Sequence, residues 1–296
     1  MLFNYEDEIR DGYLVKEKYK HIWAIEMDIL REISRVCEKH NLSYFVYGGT
    51  LLGAIRHKGF IPWDDDMDIA MLREDYEEFL KVVEKEFDIK VYCLQRGEEF
   101  GEIYEGFSRI RYNNSTAIIK RDSEKDCNHG IFIDIFPLDR LPKKKWQRKV
   151  QFPLIKIISG LVYYRTYDDE GMSHKHIRNI AKRIKCEKIW KWLANILKHI
   201  CMMYNTNGSS VVGILSCDPY DEKCYWHMED IKETIELPYE NMIVKAPVGY
   251  DRCLKIGYGD YMKFPPENER GNWHQHIFYD PYKPYTEYVN RKKLFD

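Results

Sequence analysis

The sequence predicts a mixed α/β fold, and three observations support this prediction. Helical and strand-like segments alternate through the first half of the chain, and several strand-like runs then follow one another directly. Ile22, Ile25, Ile29, Ile33 and Val36 recur every three or four residues, which places them on one face of a helix. The chain has 296 residues, of which 44% are hydrophobic, enough for one large core or two smaller ones.

The elements of the first half can be placed in order from periodicity and turn residues. A helix is expected over 15–40, and a short strand then runs up to the paired glycines at 48 and 49. The further predicted elements are a short helix closed by Gly59, a strand over 64–72, a helix over 74–86, and strands near 89–94, 106–112, 115–120 and 130–138.

The composition divides the chain into three parts. Residues 1–141 form the predicted catalytic core, and residues 142–205 a basic helical insertion. Residues 206–296 are rich in Tyr, Pro and Gly and indicate strands and turns that pack back on the core. Between 174 and 200, eight Lys or Arg residues face a single acid, Glu187. This pattern fits an ordinary helical subdomain with a solvated basic face, a membrane-surface helix or a partner contact.

Several classes of protein are disfavoured by charge and composition. A formal net charge of −2 argues against a general nucleic-acid binder, which usually carries a basic surplus. The eight cysteines include no CxxC pair and indicate reduced thiols. The sequence shows no secretory signal and no apolar run of about 18 residues. We therefore expect a cytoplasmic location, with peripheral contact at the inner face of the membrane left open.

The most informative stretch is YGGTLLGAIRHKGFIPWDDDMDIAML, residues 47–72. Side chains alternate between the two faces of an extended strand, so Asp64, Asp66 and Asp68 should point the same way. Carboxylates two residues apart on one face lie within about 7 Å of each other and repel in a partly buried cleft. A divalent cation removes this repulsion, and a set of hard oxygen ligands favours Mg²⁺ or Mn²⁺.

Gly48, Gly49 and Thr50 follow a predicted strand and open a predicted helix. Glycines allow a phosphate to approach the backbone closely, and a helix N-terminus offers free N–H groups. A Gly-Gly pair alone usually marks only a turn. Together with the aspartates that follow it, it describes a phosphoryl-transfer site with phosphate on the glycine loop and metal on the acids.

The stretch GGTLLGAIRHKGFIPWDDDMDI resembles the signature of the LicD family, named for phosphorylcholine transferases of bacterial surface polysaccharides. That family is similar to the nucleotidyltransferase-fold superfamily, in which Gly-Gly or Gly-Ser precedes a spaced Asp-x-Asp. Two further stretches resemble family motifs, GIFIDIFPLD at 130–139 and APVGYDRCLKIGYGDYMKFPP at 246–266. The resemblance implies a nucleotidyltransferase-like core with a mixed sheet, a helical insertion and a C-terminal segment that completes the site.

The resemblance also implies roles for particular residues. Asp66 and Asp68 match the paired metal-binding acids, and Asp134 matches a third acid on a neighbouring strand. Asp134 lies among apolar residues, where an unpaired carboxylate is costly to bury, so a metal or a basic partner is expected there. If it is close to the metal, it is also a candidate base. His274 and His276 resemble a histidine-containing C-terminal element of the family.

Other candidates concern the donor. Arg56, Arg109 and Arg111 could clamp a diphosphate, because guanidinium pairs with phosphate oxygens bidentately, although each fits a salt bridge equally well. The quaternary ammonium of CDP-choline would require aromatic rings, and the candidates are Trp63, Tyr258 and Tyr261.

The sequence thus supports a metal-dependent phosphotransferase that moves phosphocholine, or a similar phospho-alcohol, from a CDP-activated donor to a cell-surface glycan, which may be lipid-linked. Two alternatives remain open at this point. One is a nucleotidyltransferase that releases pyrophosphate, and the other is a non-catalytic scaffold at a membrane surface.

Overall fold

The computed structural model describes residues 3–167, 175–271 and 276–288. Within these residues the helices are α1 (Glu17–His40), α2 (Gly48–Arg56), α3 (Arg73–Glu86), α4 (Lys145–Thr166), α5 (Lys175–Arg183), α6 (Glu187–Met202), α7 (Met228–Ile231) and α8 (Tyr250–Tyr258). The strands are β1 (Glu8–Arg10), β2 (Tyr13–Val15), β3 (Phe45–Val46), β4 (Met67–Leu72), β5 (Tyr92–Gln95), β6 (Ser108–Tyr112), β7 (Thr116–Ile119), β8 (Phe132–Arg140), β9 (Val211–Gly213), β10 (Trp226–His227), β11 (Thr234–Tyr239), β12 (Met242–Pro247) and β13 (His276–Asp280).

A mixed sheet of seven strands forms the centre of the molecule, which confirms the predicted fold class. Its longest strand, β8, pairs in parallel with β4 along one edge. On its other edge β8 pairs antiparallel with β6 and, at its C-terminal end, with β9. The sheet continues through β3 beyond β4, β5 beyond β6, and β10 beyond β9. Strands from the first half and from the C-terminal third therefore share one sheet.

Helix α1 covers this sheet through the apolar face that its periodicity predicts. Ile22, Ile29, Ile33 and Val36 are fully buried, and the helix ends at Asn41, which adopts a left-handed conformation with φ of 53°. A left-handed residue directly after the last turn is a common way to end a helix. The helix predicted at 74–86 is α3, which begins at Arg73.

Two elements differ from prediction. The strand expected from residue 64 begins at Met67, and residues 64–66 precede it without ladder pairing. Residues 250–258 were expected as strands and turns but form α8. Their aromatic residues are typical of strands and their glycines of turns, but buried Cys253 and Leu254 lie on one side of a helix that Gly249 and Gly259 flank.

The insertion builds a second, smaller core. Phe152 and Ile155 of α4 pack with Trp190 and Leu197 of α6, and Leu141 at the end of β8 joins them. This cluster is separate from the main core under the central sheet. The predicted helical character of 142–205 is confirmed for the described residues of that segment.

A buried ion-pair network connects the two cores. Arg73, at the junction of β4 and α3, donates to both carboxylate oxygens of Asp139 at 2.9 and 2.6 Å and to Glu98 at 2.7 Å. Asn205, beyond the end of α6, donates to Asp139 at 2.8 Å and accepts from the backbone N–H of Arg140. Removing the arginine would leave two buried carboxylates without their cation.

We therefore expect Arg73→Met to destabilise the protein by about 3–5 kcal/mol, because breaking a buried ion pair leaves an uncompensated charge. The measurement is the free energy of unfolding in urea. Arg35→Met is the matched control, since Arg35 forms ion pairs on the exposed side of α1 and should cost no more than about 1 kcal/mol. Equal losses in the two variants would contradict the assignment.

Candidate active site

A cavity of about 710 Å³ opens beside the N-terminal turn of α2 and the start of β4. Asp64, Asp66 and Asp68 line one part of it, as the alternation of an extended segment predicts. The alternation continues through 64–66 even though hydrogen bonding of the strand begins only at Met67. Residues of α8 and of the loop that follows it line the remaining part.

Asp65 points away from this cavity and is held by the C-terminal strand β13. Its carboxylate accepts a hydrogen bond from the hydroxyl of Tyr279 and lies 3.2 Å from Nδ1 of His276. All three side chains are buried. His276, a predicted substrate-binding residue, thus contacts the acidic segment on the side that faces away from the cavity. His274 lies outside the described residues.

The acidic segment is anchored at both ends. Trp23 of α1 donates from its indole N–H to the backbone carbonyl of Asp64 at 3.2 Å. The hydroxyl of Thr50 accepts from the backbone N–H of Asp68 at 2.8 Å. Thr50 is buried, and its hydroxyl holds the start of β4 against α2, while its predicted part in a phosphate-binding loop stays a prediction.

Three consecutive aspartates are the closest group of potential metal ligands in the described residues. Asp64, Asp65 and Asp66 each offer one carboxylate oxygen, and these oxygens lie within 4.8 Å of one another. The resemblance named Asp66, Asp68 and Asp134 as metal ligands, and of these only Asp66 belongs to this group, whose other members are Asp64 and Asp65. An all-oxygen donor set of this kind fits a hard divalent cation.

Asp134 lies next to Asp68 on the neighbouring strand, in register across the β4–β8 pair. On its other side it is paired with Arg109 of β6, whose Nε donates to Oδ1 at 2.6 Å. The basic partner expected for a buried carboxylate at this position is therefore present. Asp68, Asp134 and Arg109 form a row across three adjacent strands.

The two strand arginines proposed as a diphosphate clamp are buried. Arg109 pairs with Asp134 and lies 3.2 Å from Glu105, while Arg111 donates to the carbonyl of Gly130 at 2.9 Å. Both guanidinium groups pack over the ring of Phe132. Neither side chain lines the cavity. A buried arginine needs hydrogen-bond partners for its N–H groups, and both arginines find these partners inside the protein.

The paired glycines bring α2 directly against the acids. A Cβ atom at Gly48 would lie 3.1 Å from a carboxylate oxygen of Asp68, and one at Gly49 would lie 2.7 Å from Asp64. Gly48 also has a φ of +54°, which favours glycine. Glycine is therefore needed here to make room for the carboxylates. A phosphate contact with the same backbone stays a prediction.

An aromatic wall also lines the cavity. It consists of Trp63, Tyr258, Tyr261 and Phe264. Arg270 lies over the ring of Trp63 at 4.7 Å, and Arg56 lies over the ring of Phe264 at 5.1 Å. Two of the four rings thus already contact cations of the protein.

Arg56 is the candidate clamp residue that lines the cavity. Its Nη1 donates to the backbone carbonyl of Tyr261 at 2.9 Å, and its Nε donates to His57 at 2.8 Å. Burial lowers the pKa of its guanidinium. The contacts fix the loop after α8 against α2 and keep a positive charge opposite the acids.

The hydroxyl of Tyr258 lies close to Gly48 and the aspartates. Tyr258 is half exposed, and partial desolvation together with the negative charges of Asp68, Asp64 and Asp66 raises the pKa of its phenol. The hydroxyl therefore keeps its proton at neutral pH and can donate a hydrogen bond into the cavity.

Sequence reasoning missed Glu26, which lies in the apolar face of α1 one turn after Trp23. Its side chain is 2% exposed, and its Oε2 is buried without a hydrogen-bond partner. Burial raises the pKa of Glu26 well above its ordinary value, and the charges of Asp66 and Asp65 add to the effect. The signal that could have found it is a single charged residue among the apolar positions of an amphipathic helix.

The glycine pair and the aspartates of this site lie within a stretch of the chain that matches a known protein family. The family model described as the LicD/FKTN/FKRP nucleotidyltransferase domain matches residues 41–157. The chain carries a LicD-family domain. The matched range holds the glycine pair, the aspartates, Arg109 and Asp134, together with the start of α4. This confirms the resemblance inferred from the motifs.

Two named relatives illustrate the family. The lipopolysaccharide cholinephosphotransferase LicD of Haemophilus influenzae is 29% identical over 270 residues, which cover 84% of this chain and 92% of that protein. The ribitol 5-phosphate transferase FKRP of Homo sapiens is 31% identical over 154 residues, which cover 48% of this chain and 28% of that protein. Both relatives are named as transferases of phosphate-containing groups, but for different groups.

The raised pKa of Glu26 predicts a pH-dependent stability. The folded protein retains a proton at Glu26 that the unfolded chain releases near 4.5, so wild-type stability should fall as pH rises above that value. Glu26→Gln removes this dependence and should gain stability relative to wild type, by up to about 1.4 kcal/mol per pH unit. Urea unfolding of both proteins at several pH values, with EDTA present throughout, measures the difference. A constant difference between the two curves would contradict the prediction.

Proposed function

We propose that this protein is a metal-dependent phosphotransferase that moves a phospho-alcohol from a CDP-activated donor to a hydroxyl group of a glycan. The observation that carries the proposal is the cavity lined by three aspartates and by the aromatic wall, in a LicD-family domain. The similarity to a named cholinephosphotransferase over 92% of its length supports the same reaction class.

The cavity residues suit the two ends of such a donor. Asp64, Asp66 and Asp68 would hold Mg²⁺ or Mn²⁺, which neutralises the charge of the diphosphate and of the leaving group. Arg56 provides a positive charge at the same cavity for a phosphate oxygen. Tyr258 can donate a hydrogen bond near the aspartates.

The reaction forms one bond and breaks one. The acceptor hydroxyl oxygen attacks the phosphorus that carries the alcohol, and the bond between this phosphorus and the oxygen of CMP breaks in line. The hydroxyl proton passes to a carboxylate of the enzyme. We assign this role to one of the cavity-lining aspartates, because Asp134 is held in an ion pair with Arg109 and does not line the cavity.

The identity of the alcohol is open within the family, since the two relatives are named for choline phosphate and for ribitol phosphate. Trp63 and Phe264 already pack against Arg270 and Arg56. A quaternary ammonium would therefore be placed against the remaining rings, Tyr258 and Tyr261. We propose choline as the first head group to test on this basis.

A second candidate is transfer of a nucleotidyl group, which the description of the matching domain as a nucleotidyltransferase domain favours. The two reactions differ in their products, because phospho-alcohol transfer releases CMP and nucleotidyl transfer releases pyrophosphate. A non-catalytic scaffold at a membrane surface would not require acids clustered at a cavity, so the three aspartates argue against that alternative.

The test of the reaction is turnover of CDP-choline, CDP-ethanolamine, CDP-ribitol and CDP-glycerol with Mg²⁺, measured as release of CMP. Asp68→Asn should reduce turnover of the accepted donor by at least about 100-fold, because a metal contributes several kcal/mol to stabilising transition-state charge. EDTA should have the same effect. Asp88→Asn, an exposed change distant from the cavity, is the control and should keep full activity. Full activity of Asp68→Asn, or release of pyrophosphate, would refute the proposal.

Two substitutions of one tyrosine test the head group. If choline is bound, Tyr258→Phe keeps the ring and should leave KM for CDP-choline within about threefold, whereas Tyr258→Leu should raise it by about 3–30-fold. If an uncharged polyol is bound, the hydroxyl matters more than the ring, and the Phe and Leu variants should lose affinity equally. Steady-state kinetics of the three proteins with the accepted donor distinguishes these cases.

A further inference from the structure

The inserted helices carry a concentration of exposed apolar side chains. Of the twenty large hydrophobic residues that are exposed in the described parts of the chain, eight lie between residues 146 and 192. They include Trp146 and Trp192, the exposed tryptophans of the described residues. The eight are Trp146, Val150, Leu154, Ile157, Ile177, Ile180, Ile189 and Trp192. The second core is formed by other residues, and none of these eight exposed side chains belongs to it.

Helix α4 arranges four of these side chains in a stripe. Trp146, Val150, Leu154 and Ile157 are 61%, 55%, 43% and 60% exposed. At 3.6 residues per turn they fall within an arc of roughly 80°. The buried residues of the helix, which include Phe152 and Ile155, lie on the opposite side. The helix thus has one apolar face toward the protein and a second toward solvent.

Positive charge accompanies the stripe. Residues 143–166 contain seven Lys or Arg residues and no Asp or Glu, although the whole chain has a formal net charge of −2. Lys145, Lys149 and Lys156 are exposed and lie along one border of the stripe. Lys156 also pairs with Asp218 at 2.9 Å, and this pair is half exposed. An apolar stripe bordered by lysines is the pattern of a helix that lies in a membrane interface.

We propose that α4 docks on the surface of an anionic lipid bilayer, with Trp146, Val150, Leu154 and Ile157 inserted among the acyl chains and the lysines at the headgroups. Tryptophan is favoured at this depth, and lysine side chains can extend to the headgroup phosphates. None of the helices in the described ranges is long and apolar enough to span a membrane. The contact is therefore peripheral. It is independent of the reaction proposed above, although it would bring the enzyme close to a lipid-linked acceptor.

Vesicle flotation of the full chain tests the proposal without any turnover. The protein should bind vesicles that contain phosphatidylglycerol and should bind pure phosphatidylcholine vesicles much more weakly. High salt should weaken binding, because the electrostatic part is screened. Lys145→Gln with Lys149→Gln should weaken it roughly 25-fold, since each lysine near an anionic surface contributes about fivefold.

The apolar part needs its own variant and a matched control. Trp146→Ser with Ile157→Ser should weaken binding at least about tenfold, because the inserted area is lost. Ile9→Ser with Ile243→Ser removes two apolar side chains of similar exposure from β1 and β12 and should leave binding unchanged. Circular dichroism checks the fold of both pairs. Equal binding of the two pairs, or no binding of wild type to anionic vesicles, would overturn the proposal. So would a dimer that only Trp146→Ser with Ile157→Ser abolishes, since a second copy would then cover the stripe.

Discussion

The crowding of carboxyl groups around the start of β4 is the constraint on which the rest of the structure depends. Like charges at short distance in a partly buried site are unfavourable, so each group needs its own solution. Asp134 forms an ion pair with Arg109, and Asp65 accepts a hydrogen bond from Tyr279. Glu26 keeps its proton because burial raises its pKa. The three aspartates that face the cavity are the ones proposed above to share a cation. Strand β6 of the central sheet supplies the arginine, and β13, which pairs with β7 outside that sheet, supplies the tyrosine.

The remaining parts of the fold support this centre from a distance. The glycine pair lets α2 approach the acids, and Arg56 fixes the loop after α8 opposite them. Arg73 connects the end of β4 with β8 and, through Asp139 and Asn205, with the inserted helices. The insertion is therefore connected to β4 and β8, the strands that carry Asp68 and Asp134. A shift of the inserted helices would be transmitted to these strands.

Sequence reasoning was most successful where local pattern decides the outcome. The periodicity of α1 and α3 and the alternation of Asp64, Asp66 and Asp68 follow from backbone geometry alone. The burial of Arg109 could not be predicted, because its partner depends on which strand neighbours β8. The prediction for the residues of α8 was wrong because aromatic residues are typical of strands and glycines of turns, and tertiary packing outweighed these tendencies. Glu26 was overlooked because the role of an acid on the apolar face of a helix depends on which residues pack against that face in the folded protein.

The order in which the chain supplies the cavity has a consequence for folding. The cavity-lining aspartates, the glycine pair and Trp63 lie before residue 70, but the other three rings of the aromatic wall and the hydroxyl bonded to Asp65 come from residues 258–279. Contacts over more than 190 positions form late, because closing such a loop costs entropy before the contacts repay it. During synthesis, the acidic segment therefore emerges long before its cavity can close. A nascent chain would therefore hold an incomplete cavity until its last strand docks.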